Sequence, residues 1–348
     1  MRIRSFLIEV ALQKKGKIEL SQLPQHEIEE RVRRIWREGL PEGSSPEVVE
    51  AVDGSRNKKT YAGYVIYAVG ACSLKFEGGS LKEESFTVEI DLLKPEEYSE
   101  ARLRTLMGIV EAKRALEGVR ECPAVMIDGS IVGDVLRPTV FNYEIDEKAR
   151  EWALELFKEV ESGFSTDRVN SKELYREVEK RFPGREFPVV AGFLEYLEYL
   201  YSLYRLIEEG EGKIISVSKR SNSNYYGLDA VLPDITALYL AGPPDGYSEP
   251  YRVKVAEKKF GLPGKFEELL LKKEFWSFYF KCGGGIYKCE TNMEPIEALK
   301  IITYYQVRGY PFPLKEVHRR VKITKRDMEE VIRILRHRGV TGREALGE

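Results

Sequence analysis

The sequence predicts a mixed α/β domain with helical segments at both ends. Three observations carry that expectation. Two apolar, strand-like runs, residues 48–52 and 123–127, each close on Asp-Gly-Ser. Two further runs between them, joined by short turns, read as a meander. After the meander, residues 100–117 place Leu103, Leu106, Met107 and Val110 at the i, i+3, i+4, i+7 spacing of a core helix.

In chain order, residues 1–39 read as charged and helical. Ile28, Val32, Ile35 and Trp36 recur at helical spacing within 25–38. The stretch 39–46, Gly-Leu-Pro-Glu-Gly-Ser-Ser-Pro, breaks the pattern as a linker. Residues 61–74 are rich in Tyr, Val, Ile and Ala and read as a strand, and 85–92 alternates as another. Past the second Asp-Gly-Ser, helices are expected over 146–161, 171–181 and 191–209. The last of these carries apolar side chains round most of its circumference, so it is expected in the core or at a subunit contact. Residues 213–218 read as a strand running into Lys219-Arg220-Ser221, with further strands over 251–256 and 275–281. A helix is expected over 295–308. A final one over 324–337 has Thr324 as N-cap and Asp327 three residues on. The organisation expected is a helical extension and linker over 1–46, a central domain over 47–320 with a helical insertion at about 144–210, and a basic helix and tail over 321–348.

The chain has 348 residues and a net charge of −2, which excludes a strongly basic, histone-like coat but leaves room for a local basic path. No run approaches the roughly 20 apolar residues of a membrane span. The N-terminus lacks the pattern of a signal peptide, so a cytoplasmic protein is expected. Cys72, Cys122, Cys282 and Cys289 are widely spaced with no C-x-x-C pair, and are expected as reduced thiols rather than zinc ligands. Abundant Glu, Lys and Arg beside four Gln suit a thermophile.

The repeated strand–Asp-Gly-Ser is the most informative feature. An acid at the end of a buried strand sits at the sheet edge where ligands bind in α/β folds. Two such strands, parallel and adjacent, would bring Asp53 and Asp128 into one site. Carboxylates that close repel unless they share a proton or a cation, and a hard ion such as Mg²⁺ or Mn²⁺ resolves the conflict. Each motif alone is also an ordinary turn. Glu111 lies on the flank of the apolar stripe of the 100–117 helix, where it would join the site or pair with Lys113 or Arg114.

In this order, Asp-Gly-Ser, the helical Glu and the second Asp-Gly-Ser resemble the NurA family of nucleases. The run Gly309-Tyr310-Pro311-Phe312-Pro313-Leu314 followed by His318 resembles that family's G-Y-P-x-P-L motif and histidine. The resemblance spans about 47–338 and implies an RNase H-like fold, with a mixed central sheet flanked by helices. It implies that Asp53, Glu111 and Asp128 bind the metal, that Lys219 assists at the scissile phosphate, and that Tyr310 and His318 complete the site. It implies a Mn²⁺-dependent DNA nuclease (Mg²⁺ being the other candidate). The activity implied is 5′→3′ exonuclease on single- and double-stranded DNA, with endonuclease activity on single strands, in end resection for recombination repair. It further implies a homodimer and a HerA-type hexameric ATPase as partner. No G-x-x-x-x-G-K-[ST] loop is present, so energy for translocation would come from elsewhere.

The chemistry fits independently. Phosphodiester hydrolysis needs an activated water and charge stabilisation on the leaving oxygen, which two metals about 4 Å apart supply. Asp53 would bridge, and His318 would ligate a metal or shuttle a proton. Asp234 is a further acid in an apolar setting, able to join the metal site or to cap the next segment. Residues 315–338 hold nine basic and four acidic residues. Within them Arg319, Arg320 and Lys322 are candidate phosphate contacts. Lys219 and Arg220, followed by Asn222, Asn224, Tyr225 and Tyr226, suit a single-strand channel. A different class of reading is a non-catalytic DNA clamp or adaptor for a motor, although clustered carboxylates near phosphate would not serve one.

Overall fold

The computed structural model describes residues 3–15, 25–137, 139–255, 264–337 and 339. Ten strands form its main sheet: β1 (Trp36–Glu38), β2 (Val48–Tyr61), β3 (Tyr64–Glu77), β4 (Ser80–Leu93), β5 (Ala124–Asp128), β6 (Ile214–Ser218), β7 (Gly246–Ser248), β8 (Tyr251–Lys254), β9 (Glu274–Lys281) and β10 (Ile286–Thr291). The helices are α1 (Ile3–Lys14), α2 (Gln25–Ile35), α3 (Ser99–Glu121), α4 (Ile131–Leu136), α5 (Phe141–Glu144), α6 (Glu147–Ser162), α7 (Tyr175–Arg181), α8 (Phe187–Glu209), α9 (Asp234–Ala241), α10 (Gly264–Lys272), α11 (Pro295–Tyr305), α12 (Phe312–Val321) and α13 (Lys325–Ile334).

The sheet order is β1-β7-β9-β10-β6-β5-β2-β3-β4, with β8 added on β9. Strands β2, β3 and β4 form the expected antiparallel meander. Strand β5 then returns parallel to β2, and β6 parallel to β5. Three antiparallel strands followed by two parallel ones make the RNase H-like core that the resemblance implies. Strands β10, β9, β7 and β1 widen it on the β6 side.

The sheet is covered on both faces. On one, α3 and α8 pack Leu106, Ile109, Leu197 and Leu200 against Val52, Val69 and Val125. On the other, α11 and α12 pack Leu299, Ile302, Leu314 and Val317 against Ala51, Leu74, Met126 and Val217. This double cover is why β2, β3, β5 and β6 read as continuous apolar runs. The aromatic helix α8 is buried along its length, as expected. Two ion pairs inside the domain tie it to α3: Arg102 to Glu195, and Lys113 to Glu198 at 2.6 Å.

Three expectations change. Strand β2 does not stop at Asp53. It pairs with β3 along its whole length, from Val48↔Glu77 to Tyr61↔Tyr64, and this ladder carries it straight through Gly54 and Ser55. The helix expected over 25–38 ends at Ile35, because Trp36–Glu38 pairs with β7 as an edge strand. Its apolar face, Ile28 and Val32, packs on Leu238 of α9. The helix expected to reach residue 308 ends at Tyr305, because Gln306–Val307 and Tyr310–Pro311 form a small hairpin around Arg308 and Gly309, both at positive φ. Thr324 caps α13 in a capping box with Asp327, as expected. All four cysteines are buried and unpaired. Among the described residues no helix is long and apolar enough to cross a membrane. Arg338, the tail from 340 on and Ala256 lie outside the described residues.

Candidate active site

Parallel pairing sets Val52 of β2 opposite Ile127 of β5, so the next residues, Asp53 and Asp128, come level. Strand alternation turns Asp53 towards the α12 face and Gly54 towards α3. Strand β5 ends at Asp128, where Gly129 takes φ 152°, a backbone that disfavours any side chain. Hydroxyls of β6 hold this turn: Ser216 Oγ and Ser218 Oγ donate to the Gly129 carbonyl at 2.7 and 2.6 Å. Ser130 caps α4 by accepting from Gly133 N–H and donates to Glu290 of β10 at 2.8 Å. Glu290 also accepts from Val132 N–H at 3.1 Å and pairs with Lys288 at 2.8 Å, both side chains being buried.

Helix α12 delivers His318 from the opposite face. Its Nδ1 lies 2.7 Å from Asp53 Oδ2 and 3.9 Å from Asp128 Oδ2. One ligand-type atom from each of Asp53, Asp128 and His318 falls within 4.8 Å of the others. Lys219, just past β6, reaches Asp128 Oδ2 at 2.5 Å and stands 4.9 Å above the Tyr310 ring. The Tyr310 hydroxyl is buried with no hydrogen-bond partner of ordinary geometry.

Glu111 approaches from beneath. A Cβ at Gly54 would sit 2.9 Å from Glu111 Oε2, so the glycine makes room for the carboxylate rather than for a turn. Neither suggested cationic partner takes Glu111. Lys113 binds Glu198 and Asn170, and Arg114 binds Glu117 and Thr87. Among the described residues Glu111 accepts no hydrogen bond.

The electrostatics follow. Burial pushes the Asp53 carboxyl up to about 6 and the Asp128 charge adds to this, while His318 and the Gly54 N–H pull it down. Burial, with the charges of Asp53, Asp134 and Asp128, holds Glu111 well above the carboxylate range. Burial and the same two aspartates raise the Tyr310 hydroxyl. Carboxylates raised this way are strained by their own charge, which a bound cation relieves. Two carboxylate oxygens, an imidazole nitrogen and an adjoining unbonded carboxylate fit a hard to borderline divalent ion such as Mn²⁺. Asp53, Asp128 and His318 would hold it, with Glu111 next to Asp53.

All six residues singled out as catalytic thus meet in one place. The basic residues differ. Lys219 and Arg220 are exposed beside the site. Arg319 is tied to Glu316 at 2.7 Å, and Arg320 to both Glu316 and Glu84. Lys322 is exposed at the end of α12. Asp234 is the first residue of α9 and is not in the metal cluster. Its carboxylate accepts the Tyr226 N–H at 3.0 Å and so fixes the loop after Lys219. Sequence reasoning missed Glu290 and Lys288. Their i, i+2 spacing in a run ending Cys289-Glu290-Thr291 was the available signal.

The NurA domain matches residues 47–323 of the chain. A relative from Sulfurisphaera tokodaii, named "DNA double-strand break repair nuclease NurA", is 25% identical over 336 residues, covering 94% of each chain. The crystal structure of the NurA nuclease from Sulfolobus solfataricus superposes with a TM-score of 0.67 at 21% identity, over 96% of this chain and 93% of that one. A crystal structure of NurA bound to dAMP and manganese gives a TM-score of 0.67 at 18% identity, over 97% and 96%.

Proposed function

We propose, on the footing that the chain belongs to the NurA family, that it is a metal-dependent DNA nuclease of double-strand break repair. The observation that carries the reading is the convergence of Asp53, Asp128 and His318, from three separate elements, within ligand distance of one another. The names of its relatives and the manganese in a solved structure of similar fold support it.

A bound divalent ion would supply Lewis acidity at the scissile phosphate and lower the pKa of an attacking water. The chain's own groups do the rest. Asp53 and Asp128 would position the ion, and His318, its Nδ1 2.7 Å from Asp53 Oδ2, would join them as the third ligand. Lys219, 44% exposed in its side chain and beside Asp128, offsets negative charge on the phosphate. The buried Tyr310 hydroxyl lies beside Asp128, placed to donate to that carboxylate or to a phosphate oxygen at the site. The reading extends to Mn²⁺ as the preferred ion, a two-metal reaction, 5′→3′ polarity on both strandedness forms, and endonuclease action on single strands. It also extends to a homodimer working with a HerA-type hexameric translocase. The exposed row Phe86, Val88, Ile90 and Leu92 on edge strand β4 is a surface a second copy would cover.

The test uses 5′- and 3′-labelled single- and double-stranded DNA with Mn²⁺, Mg²⁺ or chelator, beside Asp53→Ala and Asp128→Ala. Metal-dependent cleavage by the unaltered protein alone is expected, and the label pattern gives polarity. Equal behaviour of all three proteins would overturn the assignment.

A further inference from the structure

Two elements that supply a carboxylate to the site also carry an arginine farther out, and a third arginine follows α4. On β2, Arg56 follows Asp53 by three residues and points to the α3 face. On α3, Arg104 precedes Glu111 by seven residues and so lies on the same side of the helix. Past β5, Arg137 follows α4. Arg104 and Arg137 line one cavity of about 90 Å³, together with Thr105, Thr139, Tyr196 and Tyr199.

The three are brought together by packing. Gly108 on α3 lies against the Tyr199 ring of α8, where a Cβ would meet ring atoms at 2.5 Å, and this contact fixes the wall between Arg104 and Arg137. Arg137 pairs with Asp134 at 2.6 Å. Arg56 donates to the Glu100 carbonyl at 3.0 Å, and Lys58 pairs with the Glu100 carboxylate at 2.9 Å. Arg104 is exposed and makes no hydrogen bond or ion pair among the described residues. Four cations thus face three carboxylates, Glu100, Asp134 and, on the side of the site, Glu111. Burial lowers the Arg56 guanidinium, and the charges of Arg104 and Arg137 lower it further against the pull of Glu100. Like charges held this close are a cost unless an anion completes the set.

We infer that Arg56, Arg104 and Arg137 form a phosphate subsite for the backbone of the nucleic acid strand, displaced from the reacting phosphate towards the cavity between α3, α8 and the segment after α4. The inference rests on the nuclease reading above and adds a binding site to it. Three strand residues or two helical turns set the displacement at ~10 Å. Guanidinium groups suit this role, because each offers a planar fork to two phosphate oxygens. The subsite reads backbone, not base, and so favours polymer over mononucleotide.

The test measures binding without chemistry. Fluorescent 20-nucleotide single strands and duplexes are titrated with the full chain in chelator at several salt concentrations. The proteins compared are the unaltered chain, Arg104→Ala, Arg104→Glu and Arg104→Lys. Arg104 is chosen because it is exposed and unpaired, so its loss leaves the fold intact, and thermal melting checks this. Arg104→Ala should weaken binding several-fold at ~0.1 M salt. It should also flatten the plot of log affinity against log salt by about 0.7 for single strands and about 0.9 for duplex. Arg104→Glu should weaken binding further, Arg104→Lys should recover most of it, and Mn²⁺ affinity should be unchanged in all. Unchanged affinity and slope in both Arg104→Ala and Arg104→Glu would overturn the subsite while leaving the nuclease reading intact. A fall in Mn²⁺ affinity would overturn it as well, by placing Arg104 at the metal site. If the unaltered chain neither binds nor cuts DNA, the nuclease reading fails, and the subsite with it.

Discussion

Gly54 and Glu111 are complementary: a methyl group on the glycine would stand 2.9 Å from the carboxylate oxygen and 3.1 Å from Met107 Cγ. Gly54→Ala should therefore push Glu111 off its position beside Asp53. Overpacking of this kind costs about 1–3 kcal/mol. The expected outcome is a lower melting temperature and a loss of metal-dependent cleavage well beyond what the lost stability explains. Calorimetric titration with Mn²⁺ and an end-label assay below the melting range separate the two effects.

Asp53 sets a pH dependence. Its carboxyl is raised from 3.8 to about 6 by burial first and by Asp128 second. A carboxyl raised on folding makes the folded state bind the extra proton. The metal-free protein is therefore more stable below pH 4 than above pH 6 as far as this group is concerned, and the contribution is lost as pH rises through about 6. The full difference is at most about 3 kcal/mol. Asp53→Asn should remove most of this slope and stabilise the metal-free protein at pH 7.5. Metal binding runs the other way, since the ion displaces the proton, and Mn²⁺ affinity should fall as pH drops through 6. Denaturant melts and Mn²⁺ titrations between pH 5 and pH 8 measure both signs.

Glu290 braces the Asp128 turn through Ser130 and Val132 while neutralising Lys288. Glu290→Ala leaves a buried ammonium unpaired, which costs about 3–5 kcal/mol. Combining it with Lys288→Met should restore a large part of the stability but not the rigidity of the turn. Chemical denaturation of the single and double variants checks the first expectation, and their cleavage rates the second.

Tyr225 is 59% exposed, yet its ring lies 3.6 Å from that of Tyr251 at an angle of 4°. An aromatic face held this way is a ready platform for a base, six residues beyond Lys219. Tyr225→Ala should weaken single-strand binding by about 1–3 kcal/mol and duplex binding less. Equal losses for the two forms would count against stacking.

The core and the clustered acids are legible because burial on both faces leaves an unmistakable apolar run, and an acid closing such a run stands out. Asp53 and Asp128 were found that way, although for Asp53 the reason differs. Its strand continues, since β3 supplies a ladder partner as far as Tyr61, and that partner lies beyond any local reading. Helix α12 was not foreseen, because Pro311 and Pro313 suggest a loop, whereas proline is tolerated in a first helical turn. Strand β10 was hidden by Lys288 and Glu290, two charges that look solvent-facing and instead satisfy each other indoors. The outer arginines have no local signal, because Arg104 and Arg137 are 33 residues apart in sequence and come to one cavity only in the fold.

The contact between Asp53 and His318 joins residues 265 positions apart. At roughly 5–20 residues per second of synthesis, the histidine emerges about 15–50 s after the aspartate. Once residue 128 is made, β2, α3 and β5 carry their acids, but the imidazole that would complete the candidate ligand set lies a further 190 residues along the chain. On the proposed reading, a nascent chain therefore lacks one of its three candidate metal ligands until α12 is made. Because α12 also covers β2, β3 and β5 with Leu314 and Val317, the same late segment closes one face of the sheet and brings the last candidate ligand.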